Sequence, residues 1–207
     1  FIIYSKLAMP FKRYQIGPVF RDEPISSTRF RQFTQCDADI IGDASPQADA
    51  ECIALALSII KELKIEAEVQ INNRKLISSI IESVQMENNE CVMRELDKLE
   101  KIGEDSVKLN LRKYATANQI ITLFKILEKD LNFFKENNFD GAAEVQELIS
   151  KCKQYGVKPR FNQYLMRGLS YYTGNIFEVT STEQKGSIAG GGRYDKTVGK
   201  YLNKEIP

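Results

Sequence analysis

The sequence predicts an α+β fold in which an antiparallel sheet carries flanking helices and a helical insertion. Within residues 13–41, two strand-forming segments flank a polar loop, which is typical of an antiparallel pair. Residues 66–72 alternate polar and apolar side chains, as a half-buried strand does. Residues 87–155 are rich in Lys, Glu and Asn and place their apolar side chains at helical spacing.

The first strand pair is interrupted by the polar segment 21–28. Tyr14, Ile16 and Phe20 are strand formers that precede this segment. The segment itself is rich in charged residues, Ser and Pro, which indicates a loop. The stretch 29–40 is then predicted to continue as one long strand.

The remaining elements follow helix and turn signals. Ser45 is a predicted N-cap, with Pro46 in the first helical position. Gly141 separates two helices of the insertion, and strand signals return over 160–189. We therefore predict a first part of the core at 1–86, a helical insertion at 87–155 and a second part of the core at 156–207.

Composition excludes several classes of function. The 207 residues carry a net charge of +1, whereas a protein held to nucleic acid by bulk charge alone would be far more basic. The chain has no His, and its scattered Cys form no CxxC pair, so a Cys/His zinc site and His-dependent nucleophiles are excluded. We predict no resident metal. No apolar run reaches the roughly 20 residues of a membrane helix, and no signal peptide is evident, so we expect a reduced, cytoplasmic setting.

One face of the long strand carries most of the candidate chemistry. Alternation places on this face Arg29, Arg31, Phe33, Gln35, Asp37 and Asp39. A solvated sheet face also accounts for such a pattern. However, cations stand at one end, carboxylates at the other and an aromatic ring between them. This gradient favours a ligand that is anionic at one end and cationic at the other.

Two later segments contain further candidates. Arg167 follows an apolar pair, so it can emerge from a strand near the core. Arg167 and Tyr172 have opposite strand parity, and a shared site requires the chain to turn between them, which Gly168 permits. The glycines at 190–192 either allow close approach of the backbone to a ligand or another strand, or form a flexible turn. They do not belong to a Walker loop.

Three blocks in this order resemble the histidyl-tRNA synthetase family. Residues 13–42, which contain FRDE, RFRQF and QCDADIIG, resemble class II motif 2 in its histidyl form. Residues 167–178 resemble the family signature RGLDYYTGxxFE, with Ser170 in place of the usual Asp. Residues 189–195 resemble the AGGGRYD block. The resemblance spans nearly all of the chain and implies the antiparallel sheet of class II synthetases.

The resemblance implies roles for residues that would contact ATP. Arg21 would bind the α-phosphate, and Glu23 the adenine amino group. Arg29 would reach the outer phosphates, and Phe33 would stack on adenine. Arg167 would be the catalytic arginine, which acts with Arg21 on charge at the α-phosphate. Mg²⁺ would enter together with ATP.

The resemblance also implies a histidine site and an activity. Gln35 would hold the α-amino or carboxylate end of histidine, while Asp39 and Tyr172 would bind the imidazole. The implied enzyme is a histidine–tRNA ligase, which uses ATP to form histidyl-adenylate and transfers histidine to tRNA(His). The intact enzyme is expected to be a homodimer that involves no membrane and needs no covalent intermediate between substrate and enzyme.

Two non-catalytic classes remain open beside this enzyme. One is the regulatory subunit of ATP phosphoribosyltransferase, and the other is the synthetase-like domain of an uncharged-tRNA-sensing kinase. Such paralogues commonly lose catalytic residues, so the retained set favours the enzyme. Motif 1, motif 3 and an anticodon-binding domain have no counterpart in the 207 residues. We therefore expect a partial catalytic domain that is inactive or weakly active by itself.

Overall fold

The fold is α+β, as predicted, with strands towards both ends of the chain and helices between them. The strands of the described part form a two-stranded sheet and a four-stranded sheet. The computed structural model describes residues 7–22, 24–25, 30–167, 171–183, 186–203 and 205–207.

The two-stranded sheet is the predicted antiparallel pair. Strand β1 (Phe11–Phe20) pairs with β2 (Gln32–Ile41) along its whole length. At the loop end, the Arg21 backbone N–H donates to the Arg31 carbonyl oxygen at 2.9 Å. The predicted long strand therefore begins at Gln32, and Arg29 lies outside the described residues.

The four-stranded sheet has the order β4-β3-β5-β6. Its strands are β3 (Glu68–Asn73), β4 (Arg160–Phe161), β5 (Asn175–Thr180) and β6 (Ser187–Gly192). The expectation of one wholly antiparallel sheet was wrong in two details. The first strand pair forms a sheet of its own, and β4 runs parallel to β3. A parallel neighbour needs a long crossover, which the helices between β3 and β4 provide.

Helix α1 (Pro46–Glu62) connects the two sheets. Ser45 has the extended backbone typical of an N-cap, with φ −71° and ψ 146°, and Pro46 lies in the first turn. Both sequence predictions for this helix start are confirmed. The helix leads the chain away from β2 and delivers it to β3.

The other α-helices lie between β3 and β4 and share one core with the four-stranded sheet, while a short 3-10 helix, Val198–Leu202, follows β6. Ile71 of β3, Leu123 and Leu148 are fully buried members of the same hydrophobic cluster. The division into a core and an insertion at 87–155 remains a prediction. These helices are α2 (Arg74–Ser83), α3 (Asn89–Leu96), α4 (Leu99–Ile102), α5 (Glu104–Leu111), α6 (Ala117–Leu127), α7 (Leu131–Glu136) and α8 (Ala142–Gln154).

The N-terminus of α8 packs against the N-terminus of α2. The Asn73 side chain caps α2 by accepting a hydrogen bond from the Lys75 backbone N–H at 2.8 Å. Gly141, the N-cap of α8, has φ +81°, and a Cβ there would lie 2.7 Å from the Leu76 backbone nitrogen. The predicted helix break at Gly141 is confirmed, and only glycine satisfies both the backbone angle and the space.

We predict that Gly141→Ala destabilises the protein more than Gly156→Ala. Both glycines have positive φ, so both substitutions carry backbone strain of roughly 1–2 kcal/mol. A Cβ at Gly156 meets no atom within 4 Å. A Cβ at Gly141 also clashes with neighbouring atoms, and such overpacking typically costs about 1–3 kcal/mol more. Urea unfolding of both variants measures the difference. Equal losses of unfolding free energy would contradict the steric account.

Candidate functional site

The polar face of β2 is turned towards the protein. Phe33, Gln35, Asp37 and Asp39 are half-buried, and the alternate residues of the strand as far as Ala38 are exposed. On the outer face of β1, Tyr14 is 77% and Phe20 73% exposed. The usual burial pattern of a two-stranded sheet is thus reversed, because the charged face is the one that other elements cover.

Arg21 and Phe33 meet at the loop end of the strand pair. The Arg21 Cζ lies 4.4 Å from the centroid of the Phe33 ring, within cation–π distance. The Arg21 Nε also donates to the Phe30 carbonyl oxygen at 3.1 Å. The two residues assigned to the ATP end are therefore adjacent. Glu23 and Arg29, assigned to the same end, lie outside the described residues.

Asp39 lies at the opposite end of the same face and has two partners. Arg13, its cross-strand neighbour, places its NH2 at 2.6 Å from the Asp39 Oδ2. The Tyr194 hydroxyl donates to the Asp39 Oδ1. Burial raises the pKa of Tyr194, and the hydrogen bond to Asp39 raises it further, so the hydroxyl remains a donor. Between the two ends, the Gln35 amide donates to the Asp37 Oδ1 at 2.7 Å.

A cluster of tyrosines connects Asp39 to Tyr172. The Tyr171 ring packs edge-on to Tyr194 at 6.1 Å between centroids, and lies 4.7 Å from the Tyr172 ring. Tyr172 is buried, in keeping with a packed position. Burial and the hydrogen bond with Tyr172 raise the pKa of Tyr171 to about 12. The two residues assigned to imidazole are thus joined through intervening rings.

Arg167 lies on the four-stranded sheet. Its backbone is left-handed, with φ +49°, and the turn that the sequence predicts at Gly168 stays a prediction. Its NH1 donates to the Glu178 Oε1 on β5 at 3.2 Å. Residues 168–170, which include Ser170, lie outside the described residues.

The three glycines belong to strand β6, which decides between the two interpretations of the sequence. They are not a flexible turn, and they permit close approach. A Cβ at Gly190 would lie 2.5 Å from the Arg167 NH1. A Cβ at Gly192 would lie 2.9 Å from the Tyr172 Cδ1. Glycine therefore lets two candidate site residues rest directly on the sheet.

Arg193 is the centre of a largely buried polar network behind this surface, and its side chain is 13% exposed. Its NH2 donates to the Asp49 Oδ1 at 2.8 Å and to the Ser45 carbonyl oxygen at 2.9 Å. Its NH1 reaches the Asp195 Oδ1 at 3.3 Å. The guanidinium thus joins the start of α1 to the end of β6, next to Tyr194.

The network continues through amide side chains into the helices. The Asn175 amide donates to the Asp49 Oδ2, and the Asn73 amide donates both to Asn175 and to Glu144 of α8, each at 2.8 Å. The Thr173 hydroxyl donates to Asp195 at 2.8 Å and so fixes the residue after Tyr172. No buried side-chain polar atom in the described part of the chain lacks a hydrogen-bond partner.

Four residues that contact the candidate site residues or hold their surroundings were not predicted as site residues from the sequence: Arg13, Glu178, Arg193 and Tyr194. Tyr194 and Arg193 lie in the AGGGRYD block, and Glu178 is the last residue of the signature segment. The sequence blocks therefore contained these three residues, but no role had been assigned to them. Arg13 shows no signal until the strand register places it opposite Asp39.

Within the described ranges, no helix is long and apolar enough to cross a bilayer. The same ranges contain no cluster of His, Cys, Asp and Glu that could hold a metal.

We predict that Arg193→Ala destabilises the protein by about 3–5 kcal/mol near neutral pH, because Asp49 is left as a largely buried charge without its cationic partner. Burial already raises the pKa of Asp49, against the lowering effect of Arg193. An acid with a raised folded-state pKa loses stability as pH rises through that pKa. The loss in Arg193→Ala should therefore be larger at neutral pH than below the pKa of Asp49.

Urea unfolding at pH 3.8, the ordinary pKa of an Asp side chain, and at pH 7 tests this prediction. Lys75→Ala is the matched control, because Lys75 forms a largely exposed pair with Glu144 at 2.6 Å, and such pairs contribute roughly 0–1 kcal/mol. Equal losses for Arg193→Ala at the two pH values would show that the charge of Asp49 is not the cause.

Comparison with known proteins identifies the family. The family model described as histidyl-tRNA synthetase matches residues 5–207. Histidine–tRNA ligase 1 of Bacillus cereus is 39% identical over 94% of this chain and 50% of its own length. Histidine–tRNA ligase of Korarchaeum cryptofilum is 36% identical over 99% of the chain and 51% of its own length. The chain thus spans about half the length of these relatives.

Solved structures agree with this result. The crystal structure of histidyl-tRNA synthetase from Nostoc sp. PCC 7120 has a TM-score of 0.87 and 30% identity, covering 99% of this chain and 52% of that protein. An ATP phosphoribosyltransferase regulatory subunit/histidyl-tRNA synthetase from Bacillus halodurans C has a TM-score of 0.81, with 20% identity over 99% of this chain and 57% of its own. The second likeness concerns the fold alone. On the family model and these relatives, the chain belongs to the histidyl-tRNA synthetase family.

Proposed function

We propose that the intact protein carrying this chain is a histidine–tRNA ligase. It activates histidine with ATP to histidyl-adenylate and transfers the histidine to tRNA(His). The observation that carries the proposal is the arrangement along β2. An arginine on an aromatic ring stands at one end of the inward face, and a carboxylate among tyrosines stands at the other.

The loop end of the strand pair is the proposed ATP end. Arg21 binds the α-phosphate, and the ring of Phe33 stacks on adenine. In the structure, the Arg21 guanidinium lies over the Phe33 ring, so stacking by adenine requires that this guanidinium swing towards the phosphates. Glu23 and Arg29 are proposed for the adenine amino group and the outer phosphates. Mg²⁺ enters as the counter-ion of the phosphates, whose oxygens it prefers as ligands.

The Asp39 end is the proposed histidine end. The imidazole N–H donates to the Asp39 carboxylate, whose oxygens Arg13 and Tyr194 hold in place. The Tyr172 hydroxyl serves the second ring nitrogen. Gln35, between the two ends, holds the α-amino or carboxylate group of histidine.

The proposed chemical step is in-line displacement at the α-phosphorus. A histidine carboxylate oxygen attacks the phosphorus, and the bond from phosphorus to the bridging oxygen breaks to release pyrophosphate. Arg167 and Arg21 stabilise the charge that develops on the α-phosphate oxygens. This step relies on positioning and electrostatics and uses no enzyme nucleophile, which suits a chain without His.

The intact protein is proposed to work as a cytoplasmic homodimer with histidine, ATP and tRNA(His) as its partners.

The second candidate is a paralogue that does not charge tRNA, and the fold likeness to the Bacillus halodurans C protein motivates it. The presence of Arg21, Gln35, Asp39, Arg167 and Tyr172 together favours the ligase. Histidine-dependent exchange of pyrophosphate into ATP by the intact protein separates the two, because a paralogue without the activation step shows none.

We predict that Asp39→Ala in the intact protein weakens histidine binding by about 1–3 kcal/mol and leaves ATP binding nearly unchanged. The substitution removes the acceptor and leaves the imidazole N–H unpaired on burial. Separate dissociation constants for histidine and ATP measure the effect. Asp105→Ala on α5 is the control, since it removes an exposed carboxylate of a helix that contributes no candidate site residue. A similar loss for both substrates would reject the assignment of Asp39 to imidazole.

We predict that Arg167→Ala slows adenylate formation by roughly 10²–10³ while both substrates still bind, because its charge acts chiefly as the α-phosphate gains charge. Single-turnover rates of adenylate formation, with both dissociation constants, separate the two effects. An unchanged single-turnover rate would remove Arg167 from the chemical step.

A further inference from the structure

We propose that Glu178 and Gly190 form a seat that holds the Arg167 guanidinium in its reactive orientation. Glu178 is then a positioning residue for adenylate formation, which acts through Arg167 and not on the substrates. This inference rests on the proposed function, since it gives Arg167 its place at the α-phosphate.

The two residues of the seat lie side by side on neighbouring strands. Glu178 of β5 is the direct cross-strand partner of Gly190 of β6, so both belong to the same face of the sheet. The Arg167 NH1 donates to the Glu178 Oε1 at 3.2 Å. A Cβ at Gly190 would lie 2.5 Å from NH1, 2.8 Å from Cζ and 3.0 Å from NH2 of Arg167. The guanidinium therefore rests directly over the glycine, and any side chain there would lift it.

The contact with Glu178 determines where the other donors point. A guanidinium is planar and carries its N–H donors in a rigid fork. Once NH1 is bound to a carboxylate and the plane is supported by Gly190, the directions of the NH2 and Nε donors are set. A phosphate oxygen that approaches from the substrate side then meets donors that need no reorganisation, which is the condition for electrostatic catalysis.

The backbone and the burial of the pair support the same conclusion. Arg167 has φ +49°, an uncommon conformation for a residue with a side chain, and such strain occurs where the surrounding structure holds a functional group. The side chains of Arg167 and Glu178 are 20% and 25% exposed, so water screens their attraction less than on an open surface. The backbone conformation therefore orients the Arg167 side chain, and the Glu178 carboxylate holds its guanidinium in place.

The test uses the full-length protein and single-turnover formation of histidyl-adenylate. Glu178→Ala and Gly190→Ala should each slow this step roughly 10–100-fold, as misplacement of a catalytic group does. The dissociation constants of histidine and ATP should change by less than about threefold, because the seat acts through Arg167. Glu178→Asp, which keeps the charge, should recover part of the rate.

Glu68→Ala is the matched control. Glu68 is an exposed glutamate of β3 on the same face of the same sheet, opposite Thr180, and it should leave the rate unchanged. The decisive comparison uses the Arg167→Ala background. There, Glu178→Ala should cost less than about twofold, because the group that it positions is absent.

An equal loss from Glu178→Ala with and without Arg167 would overturn the proposal, as would weaker substrate binding at an unchanged rate. If the wild-type protein forms no adenylate, the proposed function fails, and crystal structures then test the seat by itself. A guanidinium displaced from Gly190 in Glu178→Ala supports the seat. The same guanidinium position in the wild type and Glu178→Ala refutes it.

Discussion

The ion pair between Arg193 and Asp49 is the contact on which the geometry of the candidate site depends. It joins the first turn of α1 to the chain that follows β6, and Asn175 at the start of β5 binds the same carboxylate. Tyr194 follows Arg193 directly, and Thr173, which Asp195 binds, follows Tyr172. One largely buried network, whose buried polar atoms all have hydrogen-bond partners, therefore sets the positions of tyrosines that come from different segments.

Glycine is the second constraint, because the site is built directly on the backbone of β6. Gly190 leaves room for the Arg167 guanidinium and Gly192 for the Tyr172 ring, while Gly191 accommodates Phe177. Side chains at Gly190 and Gly192 would displace the Arg167 and Tyr172 side chains from the sheet. Rigid strands, with their hydrogen-bonded backbones, position such groups more accurately than loops do.

These two constraints suit the function proposed for this chain, which has no His or Trp and whose described residues contain no metal cluster. The chemistry proposed for the family member needs charges and rings held at set distances along one surface. That surface extends along the inward face of β2, from Phe33 to Asp39. The four-stranded sheet contributes Arg167 and the tyrosines.

The sequence by itself determined the local features. Alternation along β2 placed Phe33 and Asp39 on one face, because side chains of a strand point to opposite sides in turn. Ser45 with Pro46, and Gly141, marked helix boundaries through their own backbone preferences. The sequence blocks also carried the resemblance to the family that the comparisons confirmed.

Only the tertiary structure decided which distant residues meet. Tyr194 binds Asp39 from 155 positions away, and local periodicity contains no information on such a contact. The parallel pairing of β3 with β4 and the separation of the strand pair from the other sheet depend on how the intervening helices pack. The seat of Arg167 likewise required the register that sets Glu178 beside Gly190. Strand register follows from burial of whole faces and from turn geometry, so it is decided by the assembled fold and not by any one segment.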